Sequence, residues 1–377
     1  MQSGSGKENL LLINQEDPPV PSIETNNFCL TVFDLSRLPE LVPVGFLETK
    51  LQDSFSGNVE MLWVKTNVLV LANYMPNFYP YYGLLSLRYF VPWYNQQDNF
   101  RFYAFEISSN KEPRLISELT VPFETDANSL RYAVRSSAFV TNNLLYFSYS
   151  VMHSVLVQVS ETNKQVGLLI REVPVFKRND YLCVIDYSDP ETPTLRKPVS
   201  IPGELVGISY SGELLLTRGY CFTNNFVDCR MRIDACAYDG VNVSLVDSLW
   251  LSTIDSLYCL SGTNVFIMYR SNSTNSDSYI EAWQFDAAGK FNKKSNASLP
   301  SAPYSSRVIN DILAVVCDDT SILAYDFSDI MLLRCVGKDS ISLYYYWPSL
   351  DNAIGSLSTG LWIPMDLYGV YALKIQK

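Results

Sequence analysis

Histidine is nearly absent from this sequence, and basic residues are in the minority. The 377 residues include one histidine, and 28 lysines and arginines stand against 39 aspartates and glutamates, a formal net charge of −11. A single histidine excludes a multi-histidine metal site and leaves little general acid–base machinery. An acidic chain without a basic run lacks the electrostatic footprint of a nucleic-acid-binding protein. We therefore expect no nucleic acid partner, no metal, no cofactor and no set of catalytic residues.

Long apolar runs and closely spaced cysteine pairs are also missing. No stretch approaches the roughly 18 apolar residues that a membrane-spanning helix needs, so we expect no membrane span. The eight cysteines include no Cys-x-x-Cys pair, which excludes zinc ribbons and thioredoxin-like motifs. Cys221 and Cys229 bracket a polar loop. If this loop closes a hairpin, the two cysteines face each other at its base and could form a disulfide, subject to narrow Cβ limits.

Residues 1–26 are predicted to form a flexible lead, and residues 27–377 a single folded domain. The first seven residues lack the apolar core of a signal peptide. Low charge and abundant Tyr, Asn and Ser favour an exported protein, periplasmic or extracellular, although the compartment stays open. We expect either a monomeric domain or part of a larger assembly.

One pattern recurs along the chain: an apolar strand that ends in an aromatic–acid pair, then a short turn and a second strand. The fullest copy is 181–193, YLCVIDYSDPETP. Further copies lie at 29–36, 102–108, 238–239, 283–286, 325–328 and 370–373. From Asp186 onward the copies are about 42–53 residues apart, which is typical of a four-stranded propeller blade.

Between these copies lie pairs of apolar runs that are joined by a tight polar turn. They occupy 63–70, 138–147, 208–216, 260–267 and 308–315. Asn and Gly at the turn are what a two-residue hairpin with positive φ requires. Runs that are apolar at nearly every residue are typical of strands buried on both faces. No segment sustains a 3.6-residue period with caps, so the fold class is predicted to be all-β with very little helix.

We label the strands of one unit A and B for the apolar pair, C for the strand ending in the acid, and D for the strand after the turn. The chain then reads C–D, five full A–B–C–D units, and a final A–B–C whose A–B pair runs from 343–347 through 361–363. This order predicts a single β-propeller of four-stranded blades, closed by N- and C-terminal strands in one blade. Six A–B pairs favour six blades, and seven C strands keep seven as the alternative.

The copy at 184–193, followed by 201–203 and Gly212, resembles the LVIVD-type repeat of bacterial β-propellers. That repeat is a strand ending in Asp-x-Ser-Asp-Pro-x-x-Pro, a second strand, a Pro-Gly and a hairpin with a Gly turn. Segments 34–39 and 106–113 match it in part. The resemblance implies a secreted or surface-associated propeller with a binding or scaffolding role, although fold alone does not supply a function.

The acids of the repeat have two interpretations. Asp and Ser bond backbone N–H groups in turns and Pro fixes φ there, so we predict a structural role for Asp186 and Asp189. The alternative is a catalytic pair, but neither has a partner base nearby in sequence. His153 lies in an apolar strand context and is predicted to be structural as well.

The B–C connections are long in three consecutive units, at 75–98, 150–180 and 222–229, and the second is predicted to add a strand pair, 156–159 with 166–170. Aromatic residues bring large contact area at little entropy cost, which suits a recognition surface. The candidate ligand-binding residues are Tyr79, Tyr81, Tyr82, Arg88, Tyr89, Trp93 and Tyr94. The other interpretation of 75–98 is a local lid that seals the side of the ring.

The sequence thus predicts a non-enzymatic propeller that binds a protein or glycan partner on its extended-loop face. The alternative is a carbohydrate-active enzyme, a glycoside hydrolase or lyase, that uses carboxylates at the mouth of the propeller channel.

Overall fold

The chain is all-β, as the sequence predicts. The computed structural model describes residues 9–14, 27–34, 42–51, 58–74, 99–108, 111–122, 133–136, 138–163, 167–209, 211–222, 229–251, 256–270, 277–341, 350, 353–364 and 370–375. These residues form 28 β-strands in antiparallel sheets. Within these ranges there is no helix long and apolar enough to cross a membrane.

Contacts divide the chain into two compact units, Met1–Val206 and Gly207–Lys377. In the first unit, the described strands form three sheets. The first sheet holds β1 (Asn9–Asn14), β2 (Asn27–Asp34) and β3 (Val42–Lys50), and the second holds β4 (Asn58–Lys65), β5 (Val68–Tyr74), β6 (Asn99–Ser108) and β7 (Lys111–Pro122), each in chain order. The third holds β8 (Ala133–Arg135), β9 (Phe139–Thr141), β10 (Leu144–Asn163), β11 (Gly167–Asp186), β12 (Thr194–Leu195) and β13 (Val199–Ile201).

The second unit contains four sheets in its described part, each with strands in chain order. They are β14 (Glu204–Ile208, within which the boundary between the units falls), β15 (Leu214–Phe222), β16 (Cys229–Tyr238) and β17 (Val243–Trp250); β18 (Leu257–Ser261), β19 (Asn264–Arg270), β20 (Ser278–Phe285) and β21 (Phe291–Leu299); β22 (Pro303–Ile309), β23 (Ile312–Cys317), β24 (Ser321–Asp326) and β25 (Arg334–Ser340); and β26 (Ile354–Ser356), β27 (Gly360–Pro364) and β28 (Val370–Leu373).

The predicted strand order matches these sheets with two differences. Strand β1 lies inside the segment predicted to be a flexible lead, and it pairs with β2 from Asn9↔Asp34 to Asn14↔Cys29. Its Leu-Leu-Leu-Ile run is too short to show a period, so the pattern missed it. The second difference is that the strand paired with β27 is β26, whereas the predicted A strand at 343–347 lies outside the described residues.

Most of the predicted hairpin turns have the expected backbone geometry. Asn142 and Asn143 both adopt positive φ, 51° and 62°, as a two-residue turn between β9 and β10 requires. Gly262 at φ 58° and Asn310 at φ 52° serve the turns before β19 and β23. Asn and Gly tolerate this left-handed region better than other residues, so the prediction is confirmed at these turns. At the turn between β4 and β5 it is wrong, because neither Thr66 nor Asn67 has positive φ.

Within each unit, successive sheets pack face to face. In β23 all six side chains are buried: Ile312, Ala314 and Val316 pack with the β26–β28 sheet, and alternate residues such as Leu313 and Val315 pack with the β18–β21 sheet. In the first unit one core joins β1–β3 to β4–β7, and another joins β4–β7 to the β8–β13 sheet. Burial on both faces explains why these strands are apolar at nearly every position.

Candidate functional site

The turn after β11 uses both carboxylates of the best repeat copy for its own structure. Asp186 accepts a hydrogen bond from the Ser188 N–H at 2.9 Å, and Arg196 Nη2 lies 3.4 Å from it. Asp189 accepts from the Glu191 N–H at 3.1 Å and from Thr192 Oγ1 at 2.6 Å. The Ser188 bond holds the pKa of Asp186 below its usual value, and the Thr192 bond does the same for the pKa of Asp189. These contacts support the structural interpretation of the two acids.

The turn after β24 repeats this geometry. Asp326 accepts from the Ser328 N–H at 2.9 Å and from Ser328 Oγ at 2.7 Å, and Arg334 Nη2 lies 3.3 Å away. Asp329 then accepts from the Met331 N–H at 3.0 Å, as Asp189 does from Glu191. Burial alone would raise the pKa of Asp326, but the Ser328 and Arg334 contacts hold that pKa below its usual value.

Each of these turns is also fastened to the preceding sheet. Ser117 Oγ on β7 donates to the Pro190 carbonyl at 2.7 Å, and Ser295 Oγ on β21 donates to the Ile330 carbonyl at 2.6 Å. Lys65 Nζ reaches the Ser188 carbonyl at 2.7 Å. These two C–D turns are therefore hydrogen-bonded to the neighbouring sheet of the same unit.

The predicted aromatic surface lies in the connection between β5 and β6. Tyr79, Tyr81, Tyr82, Arg88, Tyr89, Trp93 and Tyr94 all fall in 75–98, outside the described residues. Their role stays a prediction.

The cysteines Cys221 and Cys229 lie at the end of the β15–β16 hairpin. The register pairs Cys221 with Arg230 and Cys229 with Phe222, so the two are one position away from direct opposition. Their disulfide stays a prediction. Elsewhere in the described chain five thiols are free, four of them buried. Burial raises the pKa of the Cys183 thiol to about 12 and that of Cys259 to about 11.

The second long connection is a two-stranded arm. The strands β10 and β11 pair without interruption, and beyond Val151 and Asn179 they pair, among the described strands, only with each other, from Met152↔Arg178 to Asn163↔Gly167. The sequence predicts a strand pair here, and the structure shows it as a continuation of the B and C strands. Its pairing differs from the prediction, because 156–159 pair with 171–174, and 167–170 pair with 160–163. His153 pairs with Lys177 within the arm.

A polar cluster that the sequence analysis missed lies at the base of the arm. Asp180, 8% exposed in its side chain, accepts from Ser150 Oγ at 2.5 Å and from Arg178 Nε at 2.9 Å. Arg178 Nη2 also lies 2.9 Å from Asp180 and 4.0 Å from Glu204. The spacing of Arg178 and Asp180 could have predicted this contact, because residues two apart on a strand lie on the same face of the sheet.

A similar cluster occupies the β14–β17 sheet. Arg232 Nε donates to Asp234 at 2.9 Å, and Ser248 Oγ donates to the other Asp234 oxygen at 2.6 Å. The guanidinium of Arg232 lies over the Trp250 ring, 5.6 Å from its centroid.

A third polar group lies on the β18–β21 sheet. Glu281 accepts from Tyr269 Oη at 3.0 Å, Trp283 Nε1 at 3.0 Å and Lys293 Nζ at 2.6 Å. Partial burial would raise the pKa of Glu281, but these three donors hold that pKa below its usual value. Over the described ranges, no three His, Cys, Asp or Glu side chains are grouped so as to hold a metal ion.

Comparison with known proteins identifies no family. No protein-family model and no curated protein matches the sequence. Among solved structures, the periplasmic gluconolactonase PpgL of Pseudomonas aeruginosa matches with a TM-score of 0.31 and 10% identity, over 89% of this chain and 96% of its own. Sqt1 of Saccharomyces cerevisiae matches with a TM-score of 0.37 and 9% identity, over 98% of this chain and 99% of its own. Both likenesses are too distant to assign a function.

Proposed function

We propose that this chain is a non-enzymatic β-propeller that binds a protein or glycan partner at the end of its sheets from which the B–C connections emerge. The observation that carries the proposal is the two-stranded arm of β10 and β11. Beyond Val151 and Asn179 neither strand has a second neighbour among the described strands. Two-stranded ribbons are only marginally stable in water, and their open edges can bond a further strand.

The two ends of the sheets are built differently, which favours this end. The A–B turns at Thr66–Asn67 and Asn142–Asn143 contain two residues, and the C–D turns are fastened by their own hydrogen bonds. The B–C end carries the connection 75–98 and the arm. In the arm, the register places Val155 opposite Val175 and Val157 opposite Val173. An apolar ribbon with open edges suits a partner surface better than water.

The blade number and the closure of the ring are part of the proposal. The described strands fall into seven sheets, five of four or more strands and two of three. This number supports seven blades over the six that the A–B pairs favour. With seven blades, the N- and C-terminal strands belong to two different blades rather than to one shared blade. An exported location, periplasmic or extracellular, rests on composition alone.

The test is an arm-replacement variant of the full chain. Residues 153–177 are replaced by an Asn-Gly turn, and a second variant lacks 78–96. Both are screened on a glycan array and in cross-linking pull-downs beside the parent chain, with the Glu191→Ala variant at a C–D turn as the matched control. We expect loss of binding in the arm and loop variants, with unchanged far-UV circular dichroism, and retention in the control. Full retention of binding in both deletion variants, or turnover of a bound glycan, would contradict the proposal.

A further inference from the structure

Two side chains near one end of the β14–β17 sheet form a polar and aromatic pair that the proposed function does not use. The register places Arg232 opposite Trp250 and Asp234 opposite Ser248, so all four lie on the same face. β16 begins after the 223–228 connection and β17 ends at Trp250, so the pair lies at the B–C end of this sheet.

The guanidinium of Arg232 is fixed from two directions. Its Nε is bonded to the fully buried Asp234, which Ser248 in turn orients. Its central carbon lies over the indole of Trp250, 5.6 Å from the ring centroid. The terminal nitrogens Nη1 and Nη2 have no hydrogen-bond partner among the described residues. Because the Arg232 side chain is 27% exposed and Trp250 is 48% exposed, both groups can be reached from solvent.

Two comparable cations among the described residues are held more closely by carboxylates. Arg178 has the same spacing to Asp180, but its Nη2 lies 2.9 Å from Asp180 and 4.0 Å from Glu204, two carboxylates where Arg232 pairs with one. Lys293 lies 6.0 Å from the Trp283 ring centroid, and its ammonium is bonded to Glu281 at 2.6 Å. The arrangement at Arg232 therefore goes beyond what an internal ion pair requires.

We propose that Arg232 and Trp250 bind an acidic sugar, a hexuronate residue. A guanidinium with two outer N–H groups matches a carboxylate in bidentate geometry. The part of the half-exposed indole that the guanidinium leaves uncovered offers an apolar surface for the C–H face of a pyranose ring. Holding the guanidinium in advance lowers the ordering cost of binding. In an uronate, the carboxylate is attached to the ring itself, so one ligand residue can contact both groups.

The experiment is a calorimetric titration of the full chain with glucuronate, with glucose and acetate as probes that each lack one of the two contacts. The Arg232→Lys variant keeps the charge beside Asp234 but loses the planar fork, and Trp250→Ala removes a half-exposed ring. We expect saturable glucuronate binding that each variant weakens at least tenfold. The control variant Lys293→Ala alters a similar cation–indole pair and should bind like the parent.

Four outcomes would overturn the proposal: no saturable glucuronate binding, equal affinity for glucose, equal affinity for acetate, or unchanged affinity in both variants. Circular dichroism of each variant establishes that a loss of binding is not a loss of fold. The site needs neither the arm nor 78–96. Glucuronate binding should therefore survive arm replacement, and the two proposals fail separately.

Discussion

Removing the carboxylate of Asp186 tests whether the acids of the repeat are structural. In the Asp186→Ala variant the Ser188 N–H loses its acceptor at 2.9 Å, and Arg196 loses its partner at 3.4 Å. The same turn carries the Pro190 carbonyl that Ser117 of the neighbouring sheet bonds. The substitution therefore weakens both a turn and a joint between two sheets of the first unit.

The magnitude follows from the two lost contacts. A hydrogen bond to a charged acceptor contributes about 1.5–3 kcal/mol. The ion pair adds about 0.2–1 kcal/mol, because the Arg196 and Asp186 side chains are 35% and 26% exposed. We expect a loss of about 2–3 kcal/mol in the free energy of unfolding. For a unit of this size, that corresponds to a fall in Tm of roughly 5–10 °C. The Asp186→Asn variant keeps an acceptor oxygen and should lose about half as much.

The assay combines thermal unfolding with amide hydrogen exchange. If exchange at the Ser188 amide follows local opening, a loss of about 2 kcal/mol accelerates it roughly 30-fold. Glu112→Ala, which removes an exposed carboxylate of the same unit, is the control and should change neither measurement. An Asp186→Ala variant with unchanged Tm and unchanged exchange would refute the structural interpretation.

Three further predictions concern the turns and the last sheet. The pKa values of Asp186 and Asp326 are held below the ordinary 3.8, so in acid the unfolded chain binds more protons than the folded chain. The stabilisation from these two groups should therefore be complete above about pH 4 and decline below it, as urea unfolding at a series of pH values would show. Asn143→Ala should cost about 1 kcal/mol at φ 62°, whereas Asn143→Gly should be nearly neutral, as thermal unfolding would show. Gly355→Ala should cost about 1–3 kcal/mol, because a Cβ there would overlap the Gly360 carbonyl oxygen; a Tm equal to the parent's would contradict the β26–β27 pairing.

Local chemistry explains the features that the sequence predicted. The turn at Asn142–Asn143 needs two positive φ values, and Asn is one of the few residues that tolerate them. Runs such as 312–317 do not alternate between apolar and polar residues, so the sequence predicts that these strands are buried on both faces, as β23 is. Each of these features depends on residues that are close together in the sequence, so it can be predicted without knowing which strands pair.

Long-range register was beyond the sequence patterns. The cluster of Arg232, Asp234, Ser248 and Trp250 joins two strands, and its pairing depends on a bulge between Ala235 and Cys236. A bulge shifts the alignment by one residue and leaves no reliable mark in the sequence. The arm was predicted as the short pair 156–159 with 166–170, whereas 156–159 pair with 171–174, because the two strands continue to Asn163 and Gly167.

The repeat motif itself is better defined by Asp and Ser than by Pro. The turn at Asp326 reproduces the hydrogen bonds of the turn at Asp186, yet Ile330 stands where the first copy has Pro190. Proline fixes φ but donates nothing, whereas the carboxylate bonds the N–H two residues on. A search pattern based on Asp-x-Ser-Asp would have matched 186–189 and 326–329 equally well.

The hydrogen-bond partners of the carboxylates differ between the two ends of the sheets, and this difference indicates where a ligand would bind. At the C–D turns, Asp186 and Asp326 accept from backbone N–H groups of their own turn, so these acids fix the chain and offer little to a ligand. At the B–C end, the carboxylates of Asp180 and Asp234 accept hydrogen bonds from side chains, Arg178 and Arg232 among them. A side chain held by another side chain can keep donors for a third group, whereas a backbone N–H bonded in a turn cannot. Of these two arginines, Arg232 is the candidate for recognition, because its outer nitrogens face no carboxylate among the described residues, whereas Nη2 of Arg178 lies near both Asp180 and Glu204.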